Sequence, residues 1–158
     1  VLTASPTFDG KRTIPNQAVT DLILEMLALT PEDKLLEIGT GSGYQTQEFA
    51  KSGAEIHSIE LEPFVTASGL TVGHTHVYLH SGDGKYGLEH EAPFTAIVAT
   101  CGVPEVRKEW IDQLAEQGRM VLPLGDAAVQ KLTLLRKIQG EIVPERVGAY
   151  TRFQTLRS

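Results

Sequence analysis

Three acids stand one after another at the ends of short apolar runs: Glu37 in "KLLEI", Glu60 in "EIHSIE" and Asp83 in the "GDG" of residues 82–84. The first is followed at once by Gly39, Gly41 and Gly43, in the stretch "LLEIGTGSGYQ". Glycines at such spacing let a strand-to-helix turn pass close to a ligand. A dinucleotide turn would need a third glycine where Tyr44 stands, and a phosphate-binding loop would need Gly-Lys-Ser/Thr, which does not follow. What remains is E-x-G-x-G-x-G. An acid at the first strand end suits an ammonium group, Glu60 is placed to accept two ribose hydroxyls, and Asp83 to accept from an adenine amino group. Singly, each acid reads equally well as a solvent-facing residue of an ordinary turn; jointly they describe a nucleoside-plus-amine site.

Such a site needs alternating strands and helices to hold it. "KLLEI", "EIHSIE", "THVYLH", "FTAIVAT" and "RMVLPL" have strand length and apolar character. Helical spacing appears in "NQAVTDLILEMLAL", where Val19, Ile23, Met26 and Leu27 share a face and Asn16 is available as a cap, in "YQTQEFAKSG", and in "PEVRKEWIDQLAEQG". This rhythm predicts an α/β fold with a mostly parallel sheet covered on both faces. The tail "KLTLLRKIQGEIVPERVGAYTRFQTL" has two strand-like runs around a Gly/Pro-containing loop, which predicts a terminal antiparallel pair. The opening residues read as polar and turn-rich, and "LEPFVTASGLTVGH" is short for a crossover helix with its loops.

Composition bounds the function. With 158 residues and 41% hydrophobic content, one layered domain is expected, and a net charge of −6 argues against a general nucleic-acid surface. Cys101 is the single cysteine, so no intrachain disulfide forms, and an inert lining thiol is a better reading than a nucleophile. No stretch has the roughly 18 unbroken apolar residues of a membrane span. We expect a soluble, cytoplasmic protein with no membrane partner. His57, His74, His76, His80 and His90 show no H-x-x-x-H or other strong ligand spacing, and no metal is assigned. Trp110 and Leu114 read as packing residues, and "RKEWID" as a mixed-charge solvated face.

Taken together, "LLEIGTGSGYQ", "IHSIE", "SGDGKYG", "APFTAIVAT" and "QLAEQGRMVLPLG", in this order, resemble the protein-L-isoaspartate O-methyltransferases among the class I S-adenosylmethionine-dependent methyltransferases. The likeness runs from Thr13 to about Gly125, and more faintly through "VGAYTRFQTL". It implies a three-layer Rossmann-like fold with a C-terminal antiparallel strand pair, in one domain over residues 1–158, with truncation at the N-terminus an open alternative. It implies S-adenosyl-L-methionine as cofactor and S-adenosyl-L-homocysteine as product. Glu37, Gly39, Gly41 and Gly43 would surround the methionine moiety, with Tyr44 and Gln45 starting the next helix. Glu60 would take the ribose, and Asp83 the adenine end, in a loop shaped by Gly82 and Gly84. Thr13 and Thr100 match family threonines beside the acceptor pocket and after the fourth strand, and are the candidate catalytic residues.

The resemblance makes isoaspartyl-containing proteins or peptides the substrates, and a monomer is expected. A carboxylate acceptor is already anionic near neutral pH, so methyl-ester formation needs alignment and charge neutralisation more than a general base. Lys11 and Arg12 are the close pair of cations available to the acceptor carboxylate; an exposed basic turn is their equal alternative. For Thr13 and Thr100, a hydroxyl that satisfies a local turn is the competing role. The chain departs from the family pattern where Pro15 replaces a serine, Gln17 a proline, and "DGKR" precedes Thr13. A class I methyltransferase for another small molecule or nucleic acid, and a catalytically silent nucleoside-binding domain, therefore stand as alternatives.

Overall fold

The computed structural model describes residues 2–3, 5–7, 13–14, 17–61 and 74–157. Lys11, Arg12, Pro15 and Asn16, and most of the short segment after Glu60, lie outside the described residues. The strands are β1 (Leu2–Thr3), β2 (Ser5–Thr7), β3 (Thr13–Ile14), β4 (Lys34–Ile38), β5 (Glu55–Glu60), β6 (Val77–Ser81), β7 (Phe94–Ala99), β8 (Leu114–Gly125), β9 (Gln130–Ile138) and β10 (Glu141–Arg152). The helices are α1 (Gln17–Leu27), α2 (Tyr44–Ala50) and α3 (Lys108–Gln113). One sheet has the order β1-β10-β9-β8-β7-β4-β5-β6, and β2 pairs with β3 separately.

β4, β5, β6, β7 and β8 run parallel, whereas β9 and β10 are antiparallel to their predecessors, as the sequence pattern of the tail predicts. The central strands are covered on both faces and read as continuous apolar runs for that reason. Alternation along β4 sends Leu35 into one core, with Val19, Ile23, Phe49 and Ile56, and Leu36 into another, with Phe94, Ile97 and Trp110. The predicted face of α1 is the one buried.

Two expectations are corrected. The polar opening contains strand pairing, with β1 parallel to β10. The third helix is short: the predicted stretch of residues 104–118 is helical only over Lys108–Gln113, and Leu114 is already extended. β8 forms a bulge there, since Leu114 pairs with Phe94 while the next pair is Arg119 with Ala96. Pairing of Leu114 with Phe94, and of the strand from Arg119 onward with both β7 and β9, outweighs the helical propensity of "QLAEQG".

Arg119 clasps the lower end of the sheet. Its guanidinium gives Asp33 two hydrogen bonds of 2.8 and 3.0 Å, and also donates to the carbonyls of Leu27 and Ala28, where α1 ends. The arginine holds Asp33 well below the usual carboxylate range, against the opposing effect of burial.

Candidate functional site

The parallel strands β4, β5 and β7 finish at the same end of the sheet, and the turns that follow them surround a cavity. Glu37 is completely buried, one residue before β4 ends. Its Oε2 accepts hydrogen bonds from Thr46 Oγ1 at 2.5 Å and Ser58 Oγ at 2.6 Å. Because Ser58 gives its proton to Glu37, the 2.6 Å contact between Ser58 and Thr40 places Thr40 as donor to Ser58. The other oxygen, Oε1, is buried without a hydrogen-bond partner and belongs to a residue that lines the cavity. Burial pushes the carboxyl up to about 7; the two hydroxyl donors oppose the rise and the Glu60 charge adds to it.

The glycine turn leads from this acid into α2. Gly39 donates its N–H to the Ile59 carbonyl at 2.9 Å, and a Cβ on it would stand 2.9 Å from Thr100 Oγ1. Gly41 has a φ of +55° and open space where its Cβ would be, so a side chain there would be strained and would project into the site. Gly43 directly precedes α2. Glu60, at the end of β5, accepts the Gly41 N–H on Oε2 at 2.8 Å and the Leu61 N–H on Oε1 at 3.0 Å. Its carboxylate thus bridges the first two turns of the site and keeps lone pairs for a ligand.

The structure brings Glu37, Gly39, Gly41, Glu60, Gly84 and Thr100 into one cavity wall, together with Tyr44 and Gln45 from the start of α2. Gly82 and Asp83 are outside this lining, and Asp83 caps a single 3-10 turn by accepting the Lys85 N–H at 3.0 Å. Thr100 donates its hydroxyl proton to the carbonyls of Ile38 and Gly39, which makes it a positioning residue for the glycine turn. Cys101 lines the cavity as a neutral thiol, its pKa pushed up to about 12 by burial and the nearby Glu60. Thr13 is described through its backbone, in β3.

Several contributors escape sequence reasoning. Thr40, Thr46 and Ser58 hold Glu37, yet they come from the turn, from α2 and from β5. Buried Trp110 in α3 donates Nε1–H to the Gly84 carbonyl at 2.9 Å, and Gln113 binds Tyr86 O and Leu88 N–H, so α3 fixes the loop of Asp83. The tail closes the cavity: Gly102 N–H donates to Gln154 O at 2.7 Å and Leu156 N–H to Gly102 O at 2.9 Å. This staple sets Arg157 in the lining, the one lysine or arginine among its described residues.

A partnerless buried carboxylate oxygen calls for a hydrogen-bond donor, and the three glycines of the adjoining turn leave room for the group that carries it. These features fit S-adenosylmethionine, whose ammonium would meet Glu37 and whose ribose would meet Glu60.

Fold and site together define the Rossmann-like α/β methyltransferase class. The family model for protein-L-isoaspartate(D-aspartate) O-methyltransferase matches residues 3–158. Protein-L-isoaspartate O-methyltransferase 1 of Syntrophobacter fumaroxidans is 38% identical over 129 residues, covering 79% of this chain and 60% of the relative. The corresponding protein 2 of Geotalea uraniireducens is 39% identical over 135 residues, 83% of this chain and 61% of its own. A solved protein-L-isoaspartate O-methyltransferase superposes with a TM-score of 0.84 at 28% identity, over 96% of this chain and 51% of that one. The chain belongs to the protein-L-isoaspartate O-methyltransferase family. It spans about three-fifths of the length of these two curated relatives.

Proposed function

We propose that the chain binds S-adenosylmethionine and transfers its methyl group to the free carboxylate of isoaspartyl residues in damaged proteins. The observation that carries the proposal is the unpartnered Oε1 of Glu37 at the head of the glycine turn. Bound S-adenosylmethionine would supply a methyl group on a positive sulfur, so that a C–O bond to the acceptor forms as the S–C bond breaks, giving a methyl ester and S-adenosylhomocysteine.

The chain's own groups have distinct tasks in this reading. Glu37 Oε1 receives the ammonium, while Thr46 and Ser58 keep its other oxygen fixed. Glu60 accepts the ribose hydroxyls without releasing Gly41. The loop that Asp83 caps, anchored by Trp110, receives the adenine end. Thr100 holds the turn open. Arg157 supplies positive charge for the acceptor carboxylate on the tail side of the cavity. Thr13, Lys11 and Arg12 remain part of the proposal on the acceptor side. The proposal also places the protein in the cytoplasm as a monomer, acting on protein and not on nucleic acid.

The test is transfer of a radiolabelled methyl group to isoaspartyl and to normal aspartyl peptides, beside calorimetric titration with S-adenosylmethionine. Base-labile labelling of the isoaspartyl peptide alone is expected. Cofactor binding without such labelling would reject the substrate in favour of another acceptor, and failure to bind the cofactor would leave a catalytically silent domain.

A further inference from the structure

A second cluster of ligand-type side chains lies at the other end of β5. His57 is 3% exposed, and its Nε2 stands 2.6 Å from Glu55 Oε1 and 3.8 Å from Glu91 Oε2. One ligand atom from each of Glu55, His57 and Glu91 falls within a 4.8 Å set. We propose that Glu55, His57 and Glu91 bind a divalent transition ion, Zn2+ by the chemistry of the donors, at a site separate from the cofactor cavity.

The donors of a tetrahedral zinc site lie about 3.3 Å apart, given zinc bonds of roughly 2.0–2.2 Å to nitrogen and oxygen. The two spacings to His57 bracket that value, and the three ligand atoms, which lie within 4.8 Å of one another, must draw into it by small rotations of the Glu55 and Glu91 side chains. One imidazole and two carboxylates select a borderline ion over Mg2+, with solvent completing the coordination. The imidazole is also supported from behind. His57 Nδ1 is 2.9 Å from His80 Nε2, and when Nε2 carries the metal, Nδ1–H donates to that nitrogen. Tyr78 stacks on the His57 ring at 4.9 Å and limits its reorientation.

Lys34 is the built-in competitor. Its Nζ lies 3.8 Å from Glu55 and 3.5 Å from Glu91, a cation where the metal would stand, and it also rests over Phe94 at 5.6 Å. A metal on Nε2 would take the place of the proton between His57 and Glu55, leaving the imidazole proton on Nδ1, and would displace Lys34 from the two acids. The ion would tie β5 to the 3-10 turn of Glu89–Glu91. Glu60, at the far end of the same strand, would not be involved.

The experiment is calorimetric titration of tag-free, chelator-stripped protein with Zn2+, with Co2+ absorption as a second probe. One equivalent of Zn2+ should bind and raise the melting temperature, whereas Mg2+ at the same concentration should not. His57→Gln and Glu91→Gln should each weaken binding by more than about tenfold. Should His57→Gln fail to fold, Glu91→Gln, on the surface turn, carries the test. Lys34→Met should bind Zn2+ more tightly, a gain that a purely structural ion-pair network would not give. His74→Gln, at the separate His74–His76 ring pair, should leave the affinity unchanged. Absence of saturable binding, retention of wild-type affinity in Glu91→Gln, or no gain in Lys34→Met would overturn the proposal.

Discussion

Asp33 and Glu37 stand at the two ends of β4, both acids and both withdrawn from water, and they are treated in opposite ways. Asp33 meets a bidentate arginine, a threonine hydroxyl and a backbone N–H, and its carboxyl is held below the ordinary range. Glu37 has hydroxyl donors on one oxygen only, and its carboxyl is pushed up to about 7. The first acid spends its charge on joining α1, β4 and β8. The second keeps an uncompensated charge that a ligand must neutralise. One strand therefore carries a stabilising carboxylate at its base and a destabilising, functional one at its tip.

The contrast can be broken most severely at the base. Arg119→Met leaves the half-buried Asp33 without its cation and strips the end of α1 of its donor; loss of about 3 kcal/mol is expected in denaturant unfolding. At the tip, Glu37→Gln should act in reverse. Cofactor affinity should fall by about 1.5–3 kcal/mol, the worth of a hydrogen bond to a charged group, while the free protein melts higher at alkaline pH than its parent. Calorimetry and thermal unfolding on the same sample separate the two effects.

The two acids also have opposite pH signatures. Because the folded pKa of Asp33 is depressed, its contribution is present above the unfolded value of 3.8 and lost as the pH falls below it. Because that of Glu37 is raised from 4.5 to about 7, its contribution is full below 4.5 and lost as the pH rises through 7. Stability measured against pH should fall below 3.8 and again between 4.5 and about 7, and the second fall should vanish in Glu37→Gln. Cofactor affinity should weaken as the pH drops below about 7, since the ammonium then meets a protonated acid. A smaller effect is expected away from β4: Arg157→Gln should raise KM for an isoaspartyl peptide severalfold and leave cofactor affinity unchanged, which steady-state kinetics would check.

Which part of this was legible in the chain follows from distance. Glu37, Glu60 and the glycines announce themselves because an acid at the end of an apolar run beside a flexible turn is a local pattern. Their supports are not local. Ser58 looks like an ordinary alternating residue of β5, and only strand pairing sets it against Glu37. The tail was legible as two strands, but its return to Gly102 depends on three-dimensional closure that no spacing records. Helix propensity misjudged "QLAEQG" because the pairing partners of β8 lie far away along the chain. His57 belongs with these cases: its neighbours Glu91 and His80 come from separate segments, so no motif announces them.

The bond from Gly41 N–H to Glu60 has a consequence in time as well as in space. Together with the bonds from Gly39 to Ile59 and from Gly43 to Thr40, it shapes the glycine turn through the protein's own contacts. A ligand arriving there need not wait for a loop to organise, and little ordering entropy is charged against its capture. Association should therefore run at nearly the same speed for S-adenosylmethionine and for its demethylated product. How long each one stays, and hence how readily the spent molecule gives way to a fresh one, is then decided by departure rates.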